Sequence, residues 1–321
     1  MNWLNFNMKV MKSINIFRKV IWAILITMSC QVSFAQQEPL YTQYMFNTQT
    51  MNPAYVGTWQ TLGFMALARD QWVGIPGAPN TQTFSIQSPF KNENVAVGLD
   101  LVHDVIGLEK RFSLYGDYSY RLKATMNTDL RLGIKFGFTN YSNNLNSYDL
   151  VTPGDPMFMG EIKTKIMPNF GIGGFLSNPN YYVGFSIPKI INNDFKNDVN
   201  NFSTEAEIRH YYLIAGYIFN MSENLKFKPT FLTKVTSNSP VQMDFTANFL
   251  LKESVWLGVM YRTGDAVGFL AQWVFKNKLR LGYAVDFSTS KLGKYNQGTH
   301  EVMISYEINF LKNEFTSPRY Y

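Results

Sequence analysis

Little in this chain is equipped for catalysis. Of its 321 residues only His103, His210 and His300 carry an imidazole, and the one thiol is Cys30. Hydrolysis needs a nucleophile, a base and a group that orients the base, all within hydrogen-bond reach. His103 and His300 fall on the apolar side of alternating segments, near their ends, and His210 opens another segment. Those are places for interfacial side chains, so we expect no catalytic site and no cofactor. The run Asn192-Asn193-Asp194-Phe195-Lys196-Asn197-Asp198-Val199-Asn200-Asn201 offers oxygen atoms that calcium could use. Its spacing matches no EF-hand, and loops of this composition are usually solvated turns.

The other chemical groups are charges at alternate positions. Arg69, Arg111, Arg121, Arg131, Lys135 and Arg280, with Asp117, Asp129, Asp286, Glu301 and Glu307, share the polar side of their segments. Around an open channel such a lining tunes ion passage. In a filled barrel the same groups satisfy one another, and the mixed signs favour that arrangement.

The segments that position these charges are long extended strands. His300, Val302, Ile304, Tyr306, Ile308 and Phe310 alternate with Glu301, Met303, Ser305, Glu307 and Asn309, giving one apolar and one mostly polar face. A strand in a soluble sandwich usually runs about 5 or 6 residues. This one runs 11, and a tilted strand needs roughly 9 to 11 to cross the hydrocarbon of a bilayer. Leu130 to Phe138 and Leu279 to Phe287 repeat the pattern. Between residues 61 and 310 about 14 such segments can be drawn, within a range of 12 to 16, bounded by turn signals. The fold class expected is all-β: a transmembrane antiparallel up-and-down barrel over residues 61–310, preceded by a non-barrel segment, residues 36–60, that is a plug or a periplasmic segment. Pro229, inside one segment, removes a ladder donor and predicts a bulge or a misplaced boundary.

Connection lengths give an independent check. Links after even-numbered segments, such as Pro89–Glu93 and Lys252–Glu253, have five residues or fewer, while Ser142–Pro168, Pro188–Ile208 and Thr289–Thr299 all follow odd-numbered ones. Outer-membrane barrels have short periplasmic turns and longer outer loops, so the first strand is expected to run outward, with both chain termini periplasmic.

Composition agrees. Charged residues make up 16% and aromatics 16%, against about 25% charged in an average soluble domain. Lys9, Lys12, Arg18 and Lys19, an apolar Val20 to Met28, and Ser33-Phe34-Ala35 read as a signal peptide over residues 1–35. Its loss would take the net charge from +6 to +2, which gives no reason to expect nucleic acid. The mature chain would hold no thiol, and residues 311–321 would form a periplasmic tail.

Tyr41-Thr42-Gln43-Tyr44-Met45-Phe46-Asn47, Asn52-Pro53-Ala54-Tyr55-Val56-Gly57 and Arg69-Asp70-Gln71-Trp72 resemble the opening of the PorP/SprF family of Bacteroidetes outer-membrane proteins. Pro76-Gly77-Ala78-Pro79, Thr83-Phe84-Ser85 and the closing Ser317-Pro318-Arg319-Tyr320 share in it, while Val56 departs where the family often has Ala. The resemblance implies a barrel of the type IX secretion and gliding machinery. Its expected partners are the C-terminal domain of a secreted adhesin, periplasmic secretion components and outer-membrane lipid. The two longest outer loops supply the expected contact residues: Tyr148, Asp149 and Phe158 in one, Asp194, Phe195, Lys196 and Asp198 in the other. The alternatives are a channel for small or hydrophobic solutes, or a surface hydrolase using His210.

Overall fold

The computed structural model describes residues 38–144, 161–163, 166–196, 203–237, 239–276 and 278–309. Within them the alternating segments form fourteen antiparallel strands. They are β1 (Leu62–Asp70), β2 (Asn80–Pro89), β3 (Val95–Ile106), β4 (Glu109–Lys123), β5 (Asp129–Asn144), β6 (Met167–Ser177) and β7 (Tyr181–Ile187). The second half comprises β8 (His210–Tyr217), β9 (Leu225–Thr236), β10 (Gln242–Leu251), β11 (Val255–Arg262), β12 (Ala266–Val274), β13 (Leu279–Ser288) and β14 (Thr299–Ile308).

β1 lies along β14, Leu62 opposite Ile308 and Asp70 opposite His300, and β8 pairs with both β7 and β9. The sheet therefore closes and leaves no edge, as a lipid setting requires. A short strand, Glu161–Lys163, pairs with the end of β5, and Asn193–Lys196 and Ser203–Glu207 form a hairpin of their own inside the β7–β8 connection. Among the described residues no helix is long and apolar enough to cross a membrane.

Parity sets exposure. Val302 and Ile304 are 58% and 46% exposed, whereas Glu301 and Met303, at the alternate positions, are fully buried. Leu132, Ile134 and Phe136 stand out from β5 while Arg131 and Lys135 turn inward. Apolar side chains face outward and polar ones face the lumen, the reverse of a soluble core.

The lumen is occupied. Residues 38–60 run through it as a strap with two single-turn 3-10 helices, Thr48–Thr50 and Pro53–Tyr55, the second capped by the Asn52 side chain, which accepts from the Ala54 N–H. Tyr44, Phe46, Ala54 and Val56 are fully buried against the wall. Thr42 meets Arg69 near the end of β1, Asn52 meets the carbonyl of Gly174, Val56 meets Ser119, and Thr61 meets Glu307. The strap thus begins at the end that carries the long loops and ends at the short-turn end, where β1 starts and β14 stops. The two chain termini, expected together on the periplasmic side, lie outside the described residues.

Pro229 marks neither a bulge nor a boundary in its own strand. β9 runs through it, pairing Pro229 with Ala247 of β10. The irregularity falls on the neighbour, where pairing resumes at Phe219–Ser222 after Ile218 and shifts register between Asn220 and Ser222. A proline lacks the N–H that β8 would have accepted there.

Candidate functional site

The strap is seated on glycine. Gly133 of β5 and Gly173 of β6 face each other across the sheet. A Cβ on Gly133 would coincide with the Pro53–Ala54 peptide, and one on Gly173 would collide with the Asn52 side chain and approach the Pro53 ring at 3.1 Å. Glycine within a strand is what allows another backbone to come this close. Asn52 then donates to the carbonyls of Gly174 and Phe185 at 3.2 and 3.4 Å, and Ser186 donates to the Met51 carbonyl at 2.8 Å.

Charge fixes the upper part. The Glu301 carboxylate accepts the Thr42 and Gln43 backbone N–H groups at 2.5 and 3.0 Å. It also pairs with Arg69, which reaches Asp286 at 3.1 Å. The Thr42 hydroxyl donates to Asp286 at 2.6 Å. Across the lumen Lys135 lies 2.6 Å from Asp100 and 3.1 Å from Asp117. Arg262 holds Asp244 at 2.8 Å and donates to the Tyr41 carbonyl at 3.4 Å. Each of these charges is paired, as burial demands.

Of the lining charges expected from alternation, Arg69, Arg131, Lys135, Arg280, Asp117, Asp286, Glu301 and Glu307 are buried in the lumen. Arg111, Arg121 and Asp129 sit at the rims, half-buried, with Arg121 reaching Glu93 at 3.5 Å and Asp129 at 3.8 Å. Asp100, Asp244 and Arg262 were missed. Their signal was the same parity: Asp100 shares a face with Ala96, and Asp244 with Thr246 and Asn248. His210, expected at the interface, is buried inside and stacks on Tyr212 with ring centroids 6.2 Å apart. His300 stays outward and shares a 2.6 Å hydrogen bond with the Tyr283 hydroxyl.

At the long-loop mouth the strap is tied to the β7–β8 connection. Lys189 bridges Glu38 at 2.7 Å and Glu207 at 2.6 Å, and Lys234 donates to the Glu38 carbonyl at 3.1 Å. Burial opposes ionisation of Glu38, but Lys189, then His210, outweigh it and bring the carboxyl down to about 2. The two carboxylates hold Lys189 charged, well above the ordinary lysine range, against the cost of burial. Glu38, Tyr41, Asp100, Tyr115, Lys135 and Lys189 border a cavity of about 70 Å³, space for about two waters.

The expected contact residues Tyr148, Asp149, Phe158 and Asp198 lie outside the described residues. Asp194, Phe195 and Lys196 lie on the first strand of the hairpin in the β7–β8 connection. Among the described residues no group of acidic, histidine or cysteine side chains could hold a metal ion.

Among solved structures the chain is similar to Omp33 of Acinetobacter baumannii, with 9% identity over 77% of this chain and 99% of that one and a TM-score of 0.46. It is also similar to the toluene transporter TbuX of Ralstonia pickettii (11% identity, 81% and 92% covered, TM-score 0.46). A FadL homologue of Pseudomonas aeruginosa gives 12% identity, 85% and 95% covered, and a TM-score of 0.44. No curated protein matches. The family model for the type IX secretion system membrane protein PorP/SprF matches residues 33–306, and with its lipid-facing closed barrel the chain belongs to that family of outer-membrane proteins.

Proposed function

We propose that this barrel serves type IX secretion as an anchor or export partner for the C-terminal domain of a secreted surface adhesin, with its short turns in the periplasm and its long loops outside. One observation carries the reading: the lumen is filled by the strap, so contact is left to the mouth and loops rather than to a pore. Tyr148, Asp149, Phe158, Asp194, Phe195, Lys196 and Asp198 are assigned to the adhesin; three of them, Asp194, Phe195 and Lys196, belong to the hairpin of Asn193–Lys196 with Ser203–Glu207. Secretion components would meet the short-turn end.

Replacing residues 193–207 with a short Gly-Ser link tests this in cells that carry the native membrane. The barrel should still shift on unheated gels, and the adhesin should disappear both from the surface and from the material that co-purifies with the barrel. Unchanged surface adhesin would remove this loop from the reading, and steady current through the unaltered barrel in planar bilayers would favour a solute channel instead.

A further inference from the structure

A pattern recurs at the short-turn end. Four of the six turns there open with an exposed apolar residue followed directly by an exposed lysine: Phe90-Lys91, Leu122-Lys123, Leu251-Lys252 and Phe275-Lys276. Lys278 adds a fifth ammonium to the last of them. None of the five has an ion pair among the described residues, and the acids on the same turns are engaged elsewhere, Glu93 with Arg121 and Glu253 with Lys226. The turns at Asn178–Asn180 and Glu223–Asn224 carry no lysine. The positive charge therefore spans β2 to β5 and β10 to β13, on both sides of the seam between β14 and β1.

We infer that this arc is a binding collar for the phosphates of anionic phospholipids in the leaflet at the short-turn end. The pairing of residue types places the ligand. Each apolar side chain marks where hydrocarbon stops, and the ammonium one residue on, about 3.3 Å along the chain, extends on its flexible stem to the headgroup level. A phosphate bound to lipid lies at that height, whereas an acidic protein face would have to approach through the headgroups. Anionic surfaces attract lysines within about a Debye length.

The test places the full chain in nanodiscs of equal phosphatidylglycerol and phosphatidylcholine and counts retained lipid by native mass spectrometry. The unaltered barrel should keep phosphatidylglycerol in preference by roughly fivefold, the factor about one lysine contributes. The variant K91Q/K123Q/K252Q/K276Q/K278Q should fall to parity while still shifting on unheated gels. Should it fail to fold, K276Q/K278Q alone should lower the preference. K110Q/K291Q/K294Q, at the opposite rim, should keep it. An unchanged preference in the collar variants would overturn the proposal. Absence of any preference in the unaltered barrel would also overturn it, and would leave the collar to an acidic protein. Loss of the preference to inorganic phosphate, but not to sodium chloride of equal ionic strength, would reassign the site to free phosphate.

Discussion

Glu301 is central to the hold on the strap, because one carboxylate receives two of its backbone amides and a guanidinium of the wall. Glu301→Leu leaves both amides without an acceptor while Arg69 keeps Asp286, a loss of about 1 to 3 kcal/mol for each unmet buried donor. It should lower the temperature at which the barrel unfolds on gels and expose residues 38–60 to protease; an unchanged profile would refute the role. Glu38 makes a pH prediction of definite sign. Its carboxyl titrates near 2 in the folded chain against 4.5 ordinarily, so its contribution is complete above about pH 5 and fades as pH falls toward 2. The difference in unfolding temperature between the unaltered chain and Glu38→Gln should be constant from pH 5 to 8 and vanish near pH 2. A difference that persists there would contradict the bridge to Lys189. Alternation alone placed Glu301, Asp286, Arg69 and Lys135 in the lumen, because inward and outward positions are fixed by parity once a strand is recognised. It could not say which acid meets which base, since Asp100 and Lys135 are brought together by the registers of β3, β4 and β5.

At the scale of elements, two adjacent glycines give the sharpest test. Gly173 faces the strap and Gly174 faces outward, where a Cβ would find its nearest neighbour, a Leu132 methyl, at 4.0 Å. Gly174→Ala should be neutral within about 0.5 kcal/mol, as substitutions away from special features are. Gly173→Ala should loosen Asn52 and open the strap to hydrogen exchange. Equal effects would mean the strap does not rest on this face. Strand number and connection parity were legible because a two-residue period over ten residues has few competing explanations. The course of the strap was not: residues 36–60, expected as a plug or a periplasmic segment, have no period of their own, and their path is dictated by where the wall offers glycine, carbonyls and carboxylates. Pro229 was misjudged for a similar reason, since the missing N–H is felt by β8 and leaves no mark on the run of β9 itself.

For the whole molecule, the strap's direction joins the lumen to the loops. Because it begins beside Lys189 and Glu207, the filling of the barrel and the hairpin of the β7–β8 connection share one set of charges. A partner that binds the hairpin acts on the Lys189 bridge, and a ligand that enters from the mouth meets Glu38, Lys189 and Tyr41 before the deeper Tyr44 and Phe46. The outer surface, by contrast, needs only lipid: its exposed Phe, Tyr, Leu and Ile rows are satisfied by acyl chains. The central claim is that this is a lipid-embedded cylinder whose interior is closed by its own N-terminal segment. Single-channel recording in planar bilayers tests it most directly. The unaltered chain should leave the bilayer silent, and Gly133→Val, which drives a side chain into the Pro53–Ala54 peptide, should produce stepwise currents; steady open current through the unaltered barrel would contradict the account.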